Sequence, residues 1–311
     1  MMKKPKQPDV RPTRSHIFMN DLRSRSSIRF VFFGTPELAA VFLDDLEKDG
    51  LVPSLVVTTH DTSRGRGMAL TPPPVKVWAE KRKIAVLQPE KLDDSFASQL
   101  QASAYDVFVV IYYGKILPRE IFSMPKHGTI NIHFSLLPRW KGTSPIRAAI
   151  LNDDGKAGTS LVLMDEQIDH GPLIAQKALL IANWPPSARE LEAFATHESA
   201  KLLRAVIEPW ISGEIEAREQ NHDLETLCPT LEKADGLLDF SGDPHTNLLK
   251  IRAFDSTIGT HAFFERSSKK IRVQILDAHI EHNSLVIDKV KPEGKREMNY
   301  EEFLRSGAKP N

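Results

Sequence analysis

The sequence predicts an α/β fold: a parallel-sheet domain followed by a smaller β-rich domain. Three observations predict it. Short apolar runs alternate with amphipathic helical stretches over the first two thirds of the chain. The run Asp106–Tyr112 is continuously apolar and β-branched, as a strand buried on both faces requires. Beyond about residue 220 the texture changes to short runs between turn residues, the pattern of a small β domain or barrel.

The bulk numbers suit two domains in 311 residues. Hydrophobic residues make up 41% and charged residues 26%, with a formal net charge of zero. Bulk electrostatics therefore does not mark a polyanion binder, and any nucleic-acid contact must come from local patches. The single cysteine, Cys228, excludes an internal disulfide and a cysteine metal cluster. No apolar run approaches the ~20 residues of a membrane span, so no membrane association is expected.

Residues 1–27 carry seven basic and two acidic residues and lack the apolar core of a secretory signal. A disordered tail, a true start at Met19 and an organelle transit peptide are the open readings. Ile28–Phe33, the turn Gly34-Thr35-Pro36 and the stretch Glu37–Leu46 read as strand, turn and helix, and Leu51–Thr58 as the next strand. The three-glycine dinucleotide fingerprint is absent, which disfavours a nicotinamide enzyme. Residues 59–74 read as a long loop with Arg64 and Arg66 among glycines and a Pro72-Pro73-Pro74 end. Such a loop is a clamp for a phosphate-bearing substrate or a solvated surface segment. Helix Val75–Lys83 and strand Ala85–Pro89 follow. The central strand 106–112 runs into Tyr113-Gly114-Lys115-Ile116-Leu117, a candidate site wall because ligands bind beyond strand carboxyl ends.

Gly128–His133 is the next strand, and it ends in Ser135-Leu136-Leu137-Pro138. Helix Ser144–Leu151, strand Gly158–Met164, the loop 165–172, strand Ala175–Ile181 and a long helix over 187–213 complete the domain. Gln220–Asp243 is polar and irregular. Leu248–Phe254, Thr260–Glu265, Lys270–Ala278 and Ser284–Val290 are the short runs of the second domain.

Asn131 and His133 are two apart on a strand and share a face. A polar pair on a buried strand is costly unless paired, so the two satisfy each other or meet a ligand. Asp169 follows in the loop after the next strand. No Gly-x-Ser-x-Gly elbow and no Gly-Lys-Ser/Thr loop exists, so covalent catalysis and phosphoryl transfer lose ground. Direct transfer of an acyl or formyl group to an amine fits. Asn131 and His133 supply donors to the oxyanion. His133 relays protons through a water, with Asp169 holding its tautomer or favouring its protonated form. A metal set of His133, Asp169 and His170 lacks the usual ligand spacings.

These residues resemble the folate-dependent formyltransferases over about residues 28–307. The most specific motif is Asn131-Ile132-His133-Phe134-Ser135-Leu136-Leu137-Pro138 with Gly142-Thr143-Ser144-Pro145-Ile146 and Asp169-His170-Gly171. That motif fits several members, including glycinamide ribonucleotide and sugar-nucleotide formyltransferases. Phe33–Ala39, Gly65-Arg66-Gly67 with Pro72–Lys76, Ile251-Arg252-Ala253-Phe254, Gly294–Met298 and Phe303-Leu304-Arg305 are similar to the branch that acts on initiator methionyl-tRNA. In this chain the loop's basic residue stands at Arg64, after Asp61-Thr62-Ser63, and the barrel strands are joined by few residues.

The resemblance implies a Rossmann-like catalytic domain at 28–215, a linker at 216–232 and an OB-like β-barrel at 233–311 that binds tRNA. It implies 10-formyltetrahydrofolate as donor, with tetrahydrofolate released, and initiator methionyl-tRNA as acceptor. Asn131, His133 and Asp169 match the catalytic trio. Ser135–Pro138 and Tyr113–Leu117 match the folate-binding segments. Arg64, Arg66, Arg252, Lys269, Lys270 and Arg272 would meet tRNA phosphates. A cytoplasmic monomer is expected, organellar if residues 1–27 are a transit peptide. A sugar-nucleotide N-formyltransferase and a catalytically silent folate- or RNA-binding relative are the alternatives.

Overall fold

The computed structural model describes residues 28–310 except 65–68, 102, 255–257 and 267. The tail before residue 28 and the expected tRNA contact Arg66 lie outside the described residues.

A seven-stranded sheet organises the first part of the chain. Its members in chain order are β1 (Phe30–Phe33), β2 (Leu55–Val57), β5 (Ala85–Leu87), β6 (Val107–Val110), β7 (Thr129–His133), β8 (Gly158–Leu163) and β9 (Leu173–Ala178), with the short hairpin β3 (Thr62–Arg64) and β4 (Ala69–Thr71) lying apart. The spatial order is β5-β2-β1-β6-β7-β8-β9, so β6 is the middle strand. The first five are parallel. The pairs β7–β8 and β8–β9 are antiparallel, so the sheet is mixed rather than wholly parallel.

β1 shows why its run is continuously apolar. Phe30 and Phe32 enter one core and Val31 and Phe33 the other, and all four are fully buried. One face packs on α1 (Glu37–Lys48), α2 (Pro74–Lys81) and the later, long α6. The other packs on α3 (Asp94–Gln101) and α4 (Arg119–Phe122). Helix α5 (Pro145–Leu151) links β7 to β8. Helix α6 (Ala188–Ser212) starts at a Ser187–Glu190 capping box and stops at Gly213, whose φ of 80° is the left-handed cap glycine permits.

Within the expected loop 59–74, residues 62–64 and 69–71 are paired strands. They form the β3–β4 hairpin, anchored by Asp61, which accepts from Lys76 Nζ at 2.9 Å and Gln88 Nε2 at 2.8 Å.

In the second domain, Leu248–Phe254 is not a strand. Its residues fall in and just after α7 (Pro244–Ala253). Asp243 caps this helix by accepting from Thr246 N at 2.7 Å, and Pro244 at the first position presets its φ. Helical packing rather than strand pairing buries Leu248, Leu249 and Ile251. The remaining runs form an antiparallel sheet of β10 (Thr260–Arg266), β11 (Lys269–Glu281), β12 (Ser284–Pro292), β13 (Met298–Asn299) and β14 (Lys309–Pro310), with α8 (Tyr300–Arg305) beside it. The close spacing of β11 and β12 is a two-residue turn, His282-Asn283, with both residues at positive φ.

Candidate active site

The pairing of β6 with β7 sets the site. Val110, the last residue of β6, lies opposite Asn131, so β7 runs two residues further, to His133. The segment leaving β6 forms one wall of a cleft of about 750 Å³, within the size range of small-molecule sites. The loop after β8 forms the opposite wall. It leaves the sheet beside the start of β7, where Met164 N donates to Thr129 O at 2.9 Å, and doubles back along β7.

That return brings Asp169 onto the polar face of β7. Its Oδ1 accepts from Asn131 Nδ2 at 3.0 Å, and its Oδ2 accepts from Gly142 N at 2.9 Å and lies 3.3 Å from His133 Nδ1. The side chains of His133 and Asp169 are 5% and 6% exposed. Asp169 has φ +52°, a left-handed conformation that Asp tolerates better than most residues. The other ring nitrogen, His133 Nε2, donates to the Trp140 carbonyl at 2.8 Å; the role is fixed because a carbonyl only accepts. In the neutral ring Nδ1 is then the unprotonated nitrogen, 3.3 Å from the Asp169 carboxylate, and it becomes a donor to that carboxylate only when it takes up a proton. Asn131 keeps one amide N–H beyond the bond to Asp169 and lines the cleft.

All of Tyr113–Leu117 lines the cleft. Gly114 has φ +82°, and Lys115 Nζ ties the wall down by donating to the carbonyls of Pro89 and Glu90 at 2.8 and 3.0 Å. Ile116 is 80% exposed beside the cleft, while Tyr113 and Leu117 are buried. Burial pushes the Tyr113 phenol up to about 12, so it stays a donor. Its hydroxyl has no partner among the described residues.

Ser135–Pro138 lies elsewhere. None of the four residues lines the cleft. Ser135 Oγ donates to Arg139 O at 2.6 Å, Leu137 N to Ser160 Oγ at 3.1 Å and Gln176 Nε2 to Leu137 O at 2.9 Å. These bonds engage Ser135 Oγ, Leu137 N and Leu137 O within the protein. The segment leads into the turn that carries Trp140 and Gly142.

The expected phosphate contacts divide. Lys269 and Lys270 are exposed on β11, with Lys270 Nζ 4.3 Å from the Phe263 ring centroid, and Arg272 on the same strand is half-buried. Arg64 lies in β3. Arg252 is engaged inside the protein: Nη1 pairs with Asp277 and Nη2 donates to Ala278 O, both at 3.1 Å. It locks α7 to β11 instead of offering a free cation.

Several supports carry no local signal. Gln220, in the segment expected as a linker, donates from Nε2 to the carbonyls of Asp169 and Gly171. Buried Lys141 reaches Glu225 at 2.8 Å and His222 at 3.1 Å. His222 stacks on His170, ring centroids 4.0 Å apart, and His170 pairs with Asp165 at 2.7 Å. Cys228 Sγ donates to the same Trp140 carbonyl at 3.2 Å, and burial pushes its thiol up to about 11, so it is no nucleophile at neutral pH. Apart from the His170–Asp165 pair, the partners lie tens of residues away in sequence, so only the fold reveals them.

The site thus pairs a braced imidazole with an amide donor beside a mainly apolar cleft. Comparison with known proteins converges on the same chemistry. A formyl transferase family model matches residues 28–207. A methionyl-tRNA formyltransferase of Myxococcus xanthus is 38% identical, the match covering 89% of this chain and 94% of that protein. One from Thermotoga maritima is 38% identical over 78% of each chain. A solved N-formyltransferase from Helicobacter canadensis, complexed with folinic acid and dTDP-3-aminofucose, has a TM-score of 0.59 at 20% identity, covering 82% of this chain and 89% of that one, and so shares the fold. The chain belongs to the formyl transferase family, with the methionyl-tRNA formyltransferases, and is a formyl-transferring enzyme.

Proposed function

We propose that the chain transfers the formyl group of 10-formyltetrahydrofolate to the α-amino group of methionyl initiator tRNA, as a cytoplasmic monomer. The observation that carries this reading is the Asp169 carboxylate shared by Asn131, His133 and the Gly142 amide beside the cleft. Such a site suits direct transfer between two bound substrates. The amine nitrogen attacks the formyl carbon, and the carbonyl electron pair moves onto oxygen. The second N–H of Asn131 stabilises that oxyanion; losing one such donor typically costs ~10²–10³ in rate. The new C–N bond leaves a proton on the amine nitrogen, and the departing N10 nitrogen needs one as the old C–N bond breaks. His133, braced by Asp169, relays that proton through water, so the protein ends with the protons it began with.

Tyr113–Leu117 forms the folate wall. Lys269, Lys270 and Arg272, with Arg64 and Arg66, meet tRNA phosphates. The test is incubation with 10-formyltetrahydrofolate and either charged initiator tRNA or an amino-sugar nucleotide. Formyl-methionyl-tRNA is the expected product. Transfer to the sugar alone, or to neither acceptor, refutes the assignment.

A further inference from the structure

Asp169 acts on His133 from a residue at φ +52°, so its usefulness depends on how its peptide is held. Two neighbours hold the loop. On one side Leu163 N donates to Pro172 O at 2.9 Å, and a side chain at Gly171 would meet Leu163 O at 2.1 Å. On the other, Gln220 Nε2 donates to Asp169 O at 2.9 Å and to Gly171 O at 2.7 Å. Both acceptors are carbonyls, so the amide nitrogen must face them. Gln220 is 6% exposed and does not line the cleft.

Its own backbone is fixed next door, where Arg218 and Leu173 exchange N–H to carbonyl bonds at 2.9 and 2.7 Å. The same stretch then grips the turn behind His133. Trp140 N donates to Thr226 Oγ1, Lys141 N to Thr226 O and Cys228 N to Lys141 O, each at 2.8 Å. That turn supplies the carbonyl bound by His133 and the amide bound by Asp169. Both arms of the His133–Asp169 pair are therefore tied to one segment.

We infer that Gln220 is a positioning residue for Asp169, and that residues 218–228 belong to the catalytic apparatus rather than to a passive connection. The chemistry explains the residue type. One nitrogen with two N–H groups spans two carbonyls two residues apart. A glutamate of the same shape cannot donate, and an asparagine is one methylene too short. This inference rests on the formyl-transfer reading above, and the wild-type protein in the same assay tests that reading separately.

The experiment compares wild type with Gln220→Glu and Gln220→Met in formyl transfer to charged initiator tRNA, with thermal melting alongside. Each folded variant is expected to lose about tenfold or more in kcat, while KM for either substrate moves less than about threefold. The pH profile of kcat should also change, because the acid–base pair is no longer held in one geometry. Wild-type kcat in either folded variant overturns the inference. So does failure of both variants to fold, or a loss that merely follows the folded fraction with an unchanged pH profile.

Discussion

Replacing Asp169 by Asn tests the centre of the mechanism. The change keeps the side-chain shape and removes the charge. The carboxylate serves Asn131 Nδ2, Gly142 N and His133 Nδ1 together. An amide has one oxygen, so it can satisfy the Oδ2 pair or the Oδ1 bond, not both. Placed for Gly142 and His133, it turns its own N–H groups toward Asn131, which must flip and withdraw its donor. The absent charge matters more. When His133 takes up a proton, its ring lies 3.3 Å from the carboxylate oxygen. At that separation and an effective dielectric near 20, the attraction is about 5 kcal/mol, an upper bound. Removing about 3–5 kcal/mol corresponds to a fall in kcat of roughly 10²–10⁴. Single-turnover transfer to charged initiator tRNA reads it, with tRNA affinity measured in parallel. Affinity should survive, since Asp169 is almost wholly buried. A rate within about tenfold of wild type would refute the proton-relay assignment.

Arg66→Ala should weaken acceptor use. It should also lower the slope of tRNA affinity against salt, on logarithmic axes, by about 0.7–0.9 for the one phosphate charge no longer neutralised; an unchanged slope counts against a phosphate role. Gly171→Ala drives a Cβ into the Leu163 carbonyl and should destabilise the fold by about 1–3 kcal/mol, read by thermal unfolding. An unaltered melting temperature would show that the loop yields. The hydrogen bond and charge of Lys141 hold the Glu225 carboxyl below its usual 4.5. Stability from that ion pair is fully present above this value and disappears as pH falls through the lowered folded value. Glu225→Gln should therefore flatten the acid limb of melting temperature as pH falls below about 4.5; an identical acid limb removes Lys141–Glu225 as its source.

Much of this was readable along the chain, because local patterns encode local geometry. The buried run before Tyr112 marks the middle strand, and the spacing of Asn131 and His133 puts both on one face. Leu248–Phe254 misled for a definable reason. A short apolar run carries little periodicity, and the helix start lies upstream, at Asp243-Pro244. The antiparallel direction of β8 was equally hidden, since a helix-bearing connection after β7 reads the same whichever way the next strand enters. Arg252 reads as a phosphate ligand by residue type, yet its guanidinium is held by Asp277 and Ala278 O.

By itself the sequence determined most of the order of elements, the amide–imidazole pair on one strand face and the candidate acid beyond the next strand. Tertiary structure alone decided how that acid is held. Asp169 meets His133 because a loop doubles back along β7 and is pinned by Gln220 from a polar stretch that looks like mere connection. Tertiary structure also decided the partners of Ser135–Pro138, which bonds to Arg139, Ser160 and Gln176. The reason is common to both. Periodicity reports which side chains share a face, whereas a side chain bonded to the backbone carbonyls of a distant loop has no period to report.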